Sequence, residues 1–201
     1  MGGTWGYYVV VPIVRADIRA AGRHQTKTGL GDILFVPAVL TWHTPNLHWV
    51  VGVDFTTPTG TYSKRDLANI GRNYFGIMPN FSATWLSDDG FELSARLMYS
   101  FNTTNQATGY HSGQEFQVDT FAGYHYGKLV GGLAGYSFLQ TTDDSLNGSA
   151  VNDARGRALA LGPAVAYGFE SVKLFGSITH EFVAENRPLA DRGLFRMIVG
   201  F

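Results

Sequence analysis

Residues 91–102, FELSARLMYSFN, set Phe91, Leu93, Ala95, Leu97, Tyr99 and Phe101 against Glu92, Ser94, Arg96, Met98, Ser100 and Asn102, in strict alternation. Strand side chains point to opposite faces in turn, so the segment reads as a strand between an apolar and a polar medium. No other feature restricts the fold as much. The period returns in 157–169, RALALGPAVAYGF, where large residues alternate with Ala and Gly. A face built only of tiny side chains suits the inside of a narrow barrel. Helical periodicity is hard to find.

The same period predicts ten strands, at 5–19, 32–44, 48–58, 74–86, 91–103, 115–126, 129–141, 157–169, 172–184 and 193–201. Most reach the roughly 9–11 residues that a tilted strand needs to cross a bilayer. Short connections at 45–47, 87–90, 126–128 and 170–171 alternate with long polar ones at 20–31, 59–73, 104–114, 142–156 and 185–192. Transmembrane barrels sort their turns this way, short on the periplasmic side and long outside. The expectation is a single all-β domain over 1–201, an antiparallel up-and-down barrel in the bacterial outer membrane with lipid around it. Trp42, Trp49, Trp85, Tyr99, Tyr124 and Tyr126 are then candidates for its aromatic girdles. The facing of strands two and seven, with Trp42, Tyr136 and Phe138, stays open at this point. The chain ends on an alternating row, Phe195, Met197, Val199 and Phe201, and the terminal Phe201 is expected to engage the barrel-assembly machinery.

Composition supports this reading. Charged residues are 15% of the 201 and aromatics 14%, with 25 glycines and no cysteine. A net charge of -1 gives nucleic acid nothing to bind. Without cysteine there are no disulfides, thiolate nucleophiles or Cys-based zinc sites. The start, MGGTWG, has no basic stretch leading into an apolar core, so no signal peptide is recognisable.

The segments SKRDLANIGRNYFGIMPNFSATWL (63–86), FELSARLMYSFNTTNQATGYHSGQEFQVD (91–119), GRALALGPAVAYGF (156–169) and ENRPLADRGLFRMIVGF (185–201) resemble the meta-pathway phenol-degradation family, also called SphA-like. The likeness runs from about residue 7 to the end. It implies an outer-membrane barrel that takes up small hydrophobic or aromatic compounds. It also implies a signal peptide and one further hairpin before this chain, giving 12 strands in the intact protein.

By alternation, the polar side of the strands would line the lumen with Arg15, Asp17, Arg19, Asp54, Glu92, Arg96, Gln117, Asp119, Lys173, Glu181 and Arg196. Charges of both signs suit ion-pair networks that constrict a pore. The long loops would bring Asn69, Arg72, Asn73, Tyr110, His111, Gln114, Glu115, Glu185, Asn186 and Arg187 to the extracellular rim, as recognition residues or as ties between loops. The six histidines show no His-x-His or His-x3-His pair beside a carboxylate, so no metal, and no cofactor, is expected. Ser177 and His180 would face opposite ways, so no hydrolase is expected either. The leading expectation is a passive conduit for small hydrophobic or aromatic solutes. The alternatives are a plugged structural or adhesive barrel whose loops bind partners, and a soluble lipocalin-like barrel or sandwich.

Overall fold

A computed structural model describes residues 2–20 and 22–200. Among these the chain forms β1 (Thr4–Val10), β2 (Ile13–Ala20), β3 (Arg23–Leu30), β4 (Leu34–His43) and β5 (Leu47–Thr56). Next come β6 (Gly76–Leu86), β7 (Phe91–Asn102), β8 (Tyr110–His111), β9 (Glu115–Tyr126) and β10 (Leu129–Gln140). The last are β11 (Asp144–Leu146), β12 (Ser149–Val151), β13 (Arg157–Gly168), β14 (Val172–Glu185) and β15 (Asp191–Val199). No helix is present among the described residues. Ten strands make one antiparallel sheet in the order β1-β4-β5-β6-β7-β9-β10-β13-β14-β15, so each wall strand pairs with its neighbours along the chain. Its edges, β1 and β15, are not paired with each other, and the sheet is not closed within this chain.

Nine of the ten expected strands hold to within a few residues. The first does not. Residues 5–19 split at Pro12, which has no N–H to donate to a ladder. Only β1 stays in the wall, against β4; β2 turns back onto β3 as a separate hairpin, from Ile13 opposite Leu30 to Ala20 opposite Arg23. Arg15, Asp17 and Arg19 therefore stand on a hairpin outside the ten-stranded sheet, not on a lumen wall as the alternation predicted. Asp17 accepts hydrogen bonds there from Thr26 (2.8 Å) and the His24 ring (3.0 Å), and these hold its carboxyl below the usual range. Phe201, the expected assembly signal, lies outside the described residues.

The distribution of burial decides which face looks inward. Leu93, Leu97, Leu133, Leu161, Val165 and Phe195 are exposed, whereas Ala158, Ala160 and Ala164 are buried. The largest fully buried side chains are Glu181 and Val36. A soluble protein buries its large apolar residues and exposes its carboxylates. This sheet does the reverse, so the lipocalin-like alternative, with its apolar face turned inward, does not describe it. Register settles the open facings. Trp42 pairs with Trp49 on the outer face and the rings stack at 6.1 Å, while Tyr136, opposite Asp119, and Phe138, opposite Gln117, point inward. Near the short turns, Trp85–Phe91, Tyr124–Tyr126 and Tyr167–Phe169 form further outward aromatic pairs, and Tyr99–Phe101 lies near the long-loop end.

The long connections are tied to one another in series. Asp32 accepts from the backbone N–H of Gly60 (2.9 Å) and of Arg72 (2.7 Å). Gly60 and Gly71 lie back to back; a Cβ on Gly71 would sit 2.6 Å from the Gly60 oxygen. The β2–β3 hairpin clasps the same loop: the Gln25 side-chain oxygen accepts from Leu67 and Ala68 N–H, and Lys27 bonds Asp66. Asn73, at a left-handed φ of 60°, donates to Asn105 (2.8 Å) in the next loop. That loop joins the following one through the β12-β11-β8 sheet and the Tyr110 hydroxyl, which donates to Asp144. Asn186, at φ 53°, donates to the Arg155 carbonyl (2.9 Å) and completes the row.

Single cysteines, introduced into a chain that has none, test the orientation. Nitroxides at Leu97 and Leu161 are expected to be relaxed by oxygen and not by a polar nickel complex, and one at Ser94 the opposite. The reverse pattern would mean that the sheet is inside out. A second test is spectroscopic. Burial, then the hydrogen bond to Asp144, pushes the Tyr110 phenol up to about 12 from an ordinary 10.0. The stability this pair adds is complete below pH 10 and is lost as pH rises through about 12. The tyrosinate absorbance titration of Tyr110→Phe, subtracted from that of the unmodified protein, should show one group ionising near 12; ionisation near 10 would contradict the contact.

Candidate functional site

Alternation brings the polar residues of the wall onto one concave surface, the lumen. Near the short turns, Thr84 and Ser94 share a hydrogen bond (2.8 Å), Ser94 donates to Glu92 (2.7 Å), and the His125 ring meets Glu92 at 2.7 Å. His43 and His48 face each other across β4 and β5 at the same level, Nδ1 to Nδ1 at 2.9 Å. Lys173 lies opposite Gly168 on β14, on the inward side.

Midway up, Asp54 on β5 is 2% exposed and accepts from Arg96 (2.9 Å) and from the Asn80 amide (2.9 Å). Arg96 lies opposite Asp119 in register, and Gln117 donates to Asp119 (3.2 Å). On the far wall Glu181 is fully buried. It accepts from the Tyr136 hydroxyl (2.7 Å) and the Ala190 N–H (2.9 Å), and pairs with Arg187 at 3.1 Å. Each buried carboxylate is thus fully bonded, the condition under which a charge can be tolerated away from water. A bulge beside Leu159 puts Glu181 opposite Ala160, whose small side chain leaves it room.

Between these two ion-pair groups lies a cavity of about 270 Å³ lined by Arg96, Asp119, Phe121, Tyr136, Phe175, Arg192 and Arg196 among others. It shares Tyr136 and Arg192 with a wider outer space of about 510 Å³ that includes Phe138, Arg187, Glu115 and Arg72. A third, of about 360 Å³, shares Arg72, Glu115 and Gln117 and reaches Asp32 and Tyr74. The spaces therefore follow one another from the loop side to mid-wall. Arg187 lies 5.1 Å over the Phe138 ring and Arg192 5.8 Å over Tyr136.

Of the lumen residues expected from sequence, Asp54, Glu92, Arg96, Gln117, Asp119, Lys173, Glu181 and Arg196 lie on the inward face. The rim residues divide. Arg72, Glu115 and Arg187 turn into the outer space. Asn69 locks its own turn onto Ser63, Gln114 accepts from Tyr99 (2.7 Å), Glu185 pairs with Arg157, and Asn73, Tyr110 and Asn186 bridge loops. His111 sits in the small rim sheet opposite Ser145. Sequence reasoning missed Phe121, Phe175 and Arg192. Phe121 and Phe175 continue the inward rows of Asp119 and Lys173, so the same alternation pointed to them. Arg192 was placed in a loop because β15 begins two residues earlier than expected. Ser177 faces in and His180 faces out to Asp191 (2.6 Å), which separates the nucleophile–base pair a hydrolase would need. Among the described residues no three His or acidic side chains gather as metal ligands.

Asp54→Ala leaves Arg96, which is one-third exposed, without its carboxylate and Asn80 without its acceptor. The expected loss is about 1–3 kcal/mol of folding stability, measured by urea unfolding in lipid. Asp54→Asn should lose less.

A comparison with solved structures finds similarity to the COG4313 outer membrane channel of Pseudomonas putida F1, with a TM-score of 0.82 at 15% identity. The match covers 98% of this chain and 75% of that one. No curated protein matches. The family described as "Putative MetA-pathway of phenol degradation" matches over residues 1–197. With the apolar-out, polar-in wall and the graded long and short connections, this match shows that the chain belongs to that phenol-degradation family.

Proposed function

We propose that the protein is a passive conduit of the bacterial outer membrane for small aromatic or hydrophobic solutes. One observation carries the reading: consecutive cavities run from the loops to mid-lumen, lined by Phe138, Tyr136, Phe121 and Phe175 beside charged groups. Aromatic faces in a wet passage give a ring somewhere to rest, and polar neighbours keep the passage hydrated. The outer face supplies what a bilayer requires: apolar rows on every wall strand and aromatic pairs toward the short turns. The similar fold of an outer membrane channel, and a family described by phenol degradation, support the same reading. Insertion through the terminal aromatic Phe201 by the barrel-assembly machinery belongs with it, as does a further hairpin that closes β1 to β15 and brings the count to 12. Rings enter at the loop side, where Arg72 and Arg187 stand, and pass the ion-paired walls by diffusion.

The intact protein in a planar bilayer is expected to give discrete conductance steps that phenol at millimolar concentration reduces. Absence of steps would favour the plugged structural or adhesive barrel.

A further inference from the structure

We propose that this lumen selects small aromatic carboxylates, holding the anionic group on Arg192 and Arg196 of β15; the proposal rests on the conduit reading and names its substrate class.

Some charges of the lumen are paired and others are not. Asp54 is bonded to Arg96, Glu92 to His125 and Glu181 to Arg187. Arg192 and Arg196 face the same lumen, yet no carboxylate of the described residues comes within 4.0 Å of either. Both stand on the inward row of β15 and line that cavity, within reach of an incoming anion. A guanidinium matches a carboxylate with two parallel N–H donors, a geometry that neutral phenol cannot exploit. Four residues of strand put the two arginines about 13 Å apart. One small anion therefore engages them in turn.

Rings complete the site. Tyr136 and Phe175 line the same cavity as both arginines, and Phe121 stands on the β9 wall. A space of about 270 Å³, slightly below the roughly 300 Å³ at which drug-sized sites begin, has room for one small aromatic acid. Among the residues lining this cavity Asp119 is the one carboxylate, and it stands on β9, across from the arginines. Asp119 repels a second negative charge at the far end of the ring, while the Asp119–Gln117 pair can accept a hydroxyl there. The expected preference is thus benzoate-like monoanions over terephthalate-like dianions, and over neutral or cationic rings.

Saturation-transfer NMR on detergent-folded protein provides the test, with benzoate, terephthalate, phenol, benzylamine and acetate as probes. Benzoate is expected to bind about tenfold more tightly than phenol or terephthalate, by the margin of one charge-assisted contact. Acetate should bind far more weakly than benzoate. Arg192→Gln with Arg196→Gln should bring benzoate affinity down to that of phenol, and Arg192→Lys with Arg196→Lys in their place should restore part of the preference. Retention of the heat-modified gel shift shows that the variants fold. Equal binding of benzoate, phenol and benzylamine would overturn the proposal and leave the conduit reading standing. Acetate binding as tightly as benzoate would also overturn it, because the rings would then contribute nothing. Failure of every ring to bind would count against the conduit reading itself.

Discussion

Hydrocarbon offers no partner to a peptide group, and each unpaired N–H or C=O there costs several kcal/mol. The ladder of backbone hydrogen bonds from β4 to β14 meets that requirement by pairing each wall strand on both sides. Once a chain is committed to such a ladder, its side chains have only two directions. The outward set must be apolar, and whatever polar chemistry the protein has must go inward. Asp54 and Glu181 end up among the most buried residues in the molecule for this reason, and each is surrounded by donors because a bare carboxylate could not stay there. Small side chains on β13 follow as well. Ala158, Ala160 and Ala164 leave the space into which Glu181 and Tyr136 reach from the strands on either side.

The wall and the rim meet in a few residues that serve both. The Arg72 backbone hangs on Asp32 beneath the β2–β3 hairpin, and its side chain stands in the outer cavity beside Glu115. Arg187 leaves the last long loop to reach Glu181 inside the wall and to cover Phe138. Loop conformation and lumen electrostatics are therefore one system. Asn73 and Asn186, both in left-handed backbone conformations that Asn tolerates better than most residues, hold the joints between neighbouring loops.

The fold was readable wherever alternation was clean. β7, β9, β13 and β14 lie close to where the two-residue period put them, and the sorting of connections by length fixed which end is which. Reading failed where one residue changes the rule. Pro12 ends β1 and releases residues 13–30 as a hairpin, which removed Arg15, Asp17 and Arg19 from the lumen; an apolar run such as YYVVVPIV carries no alternation to warn of it. The site was legible as a set of inward polar residues, because facing follows from parity alone. Its partners were not: Asp54 with Arg96, or Glu181 with Arg187, meet across strands or from loop to strand, a matter of register and bulges. The aromatic lining escaped for a different reason. Phe121 and Tyr136 look like lipid-facing residues by type, although parity with Asp119 puts Phe121 on the inward row and register with Asp119 does the same for Tyr136.

The serial bonding of the long loops also bears on how such a mouth can change over generations. Each loop is the boundary of the next: Asp32 shapes the Gly60–Gly71 crossing, Asn73 leans on Asn105, Tyr110 on Asp144, and Asn186 on Arg155. An insertion in one cannot be absorbed where it occurs, since the neighbour's anchor shifts with it. Surface variation in this architecture should therefore arrive as coordinated exchange of adjoining segments, and the entrance diversifies as a unit or hardly at all.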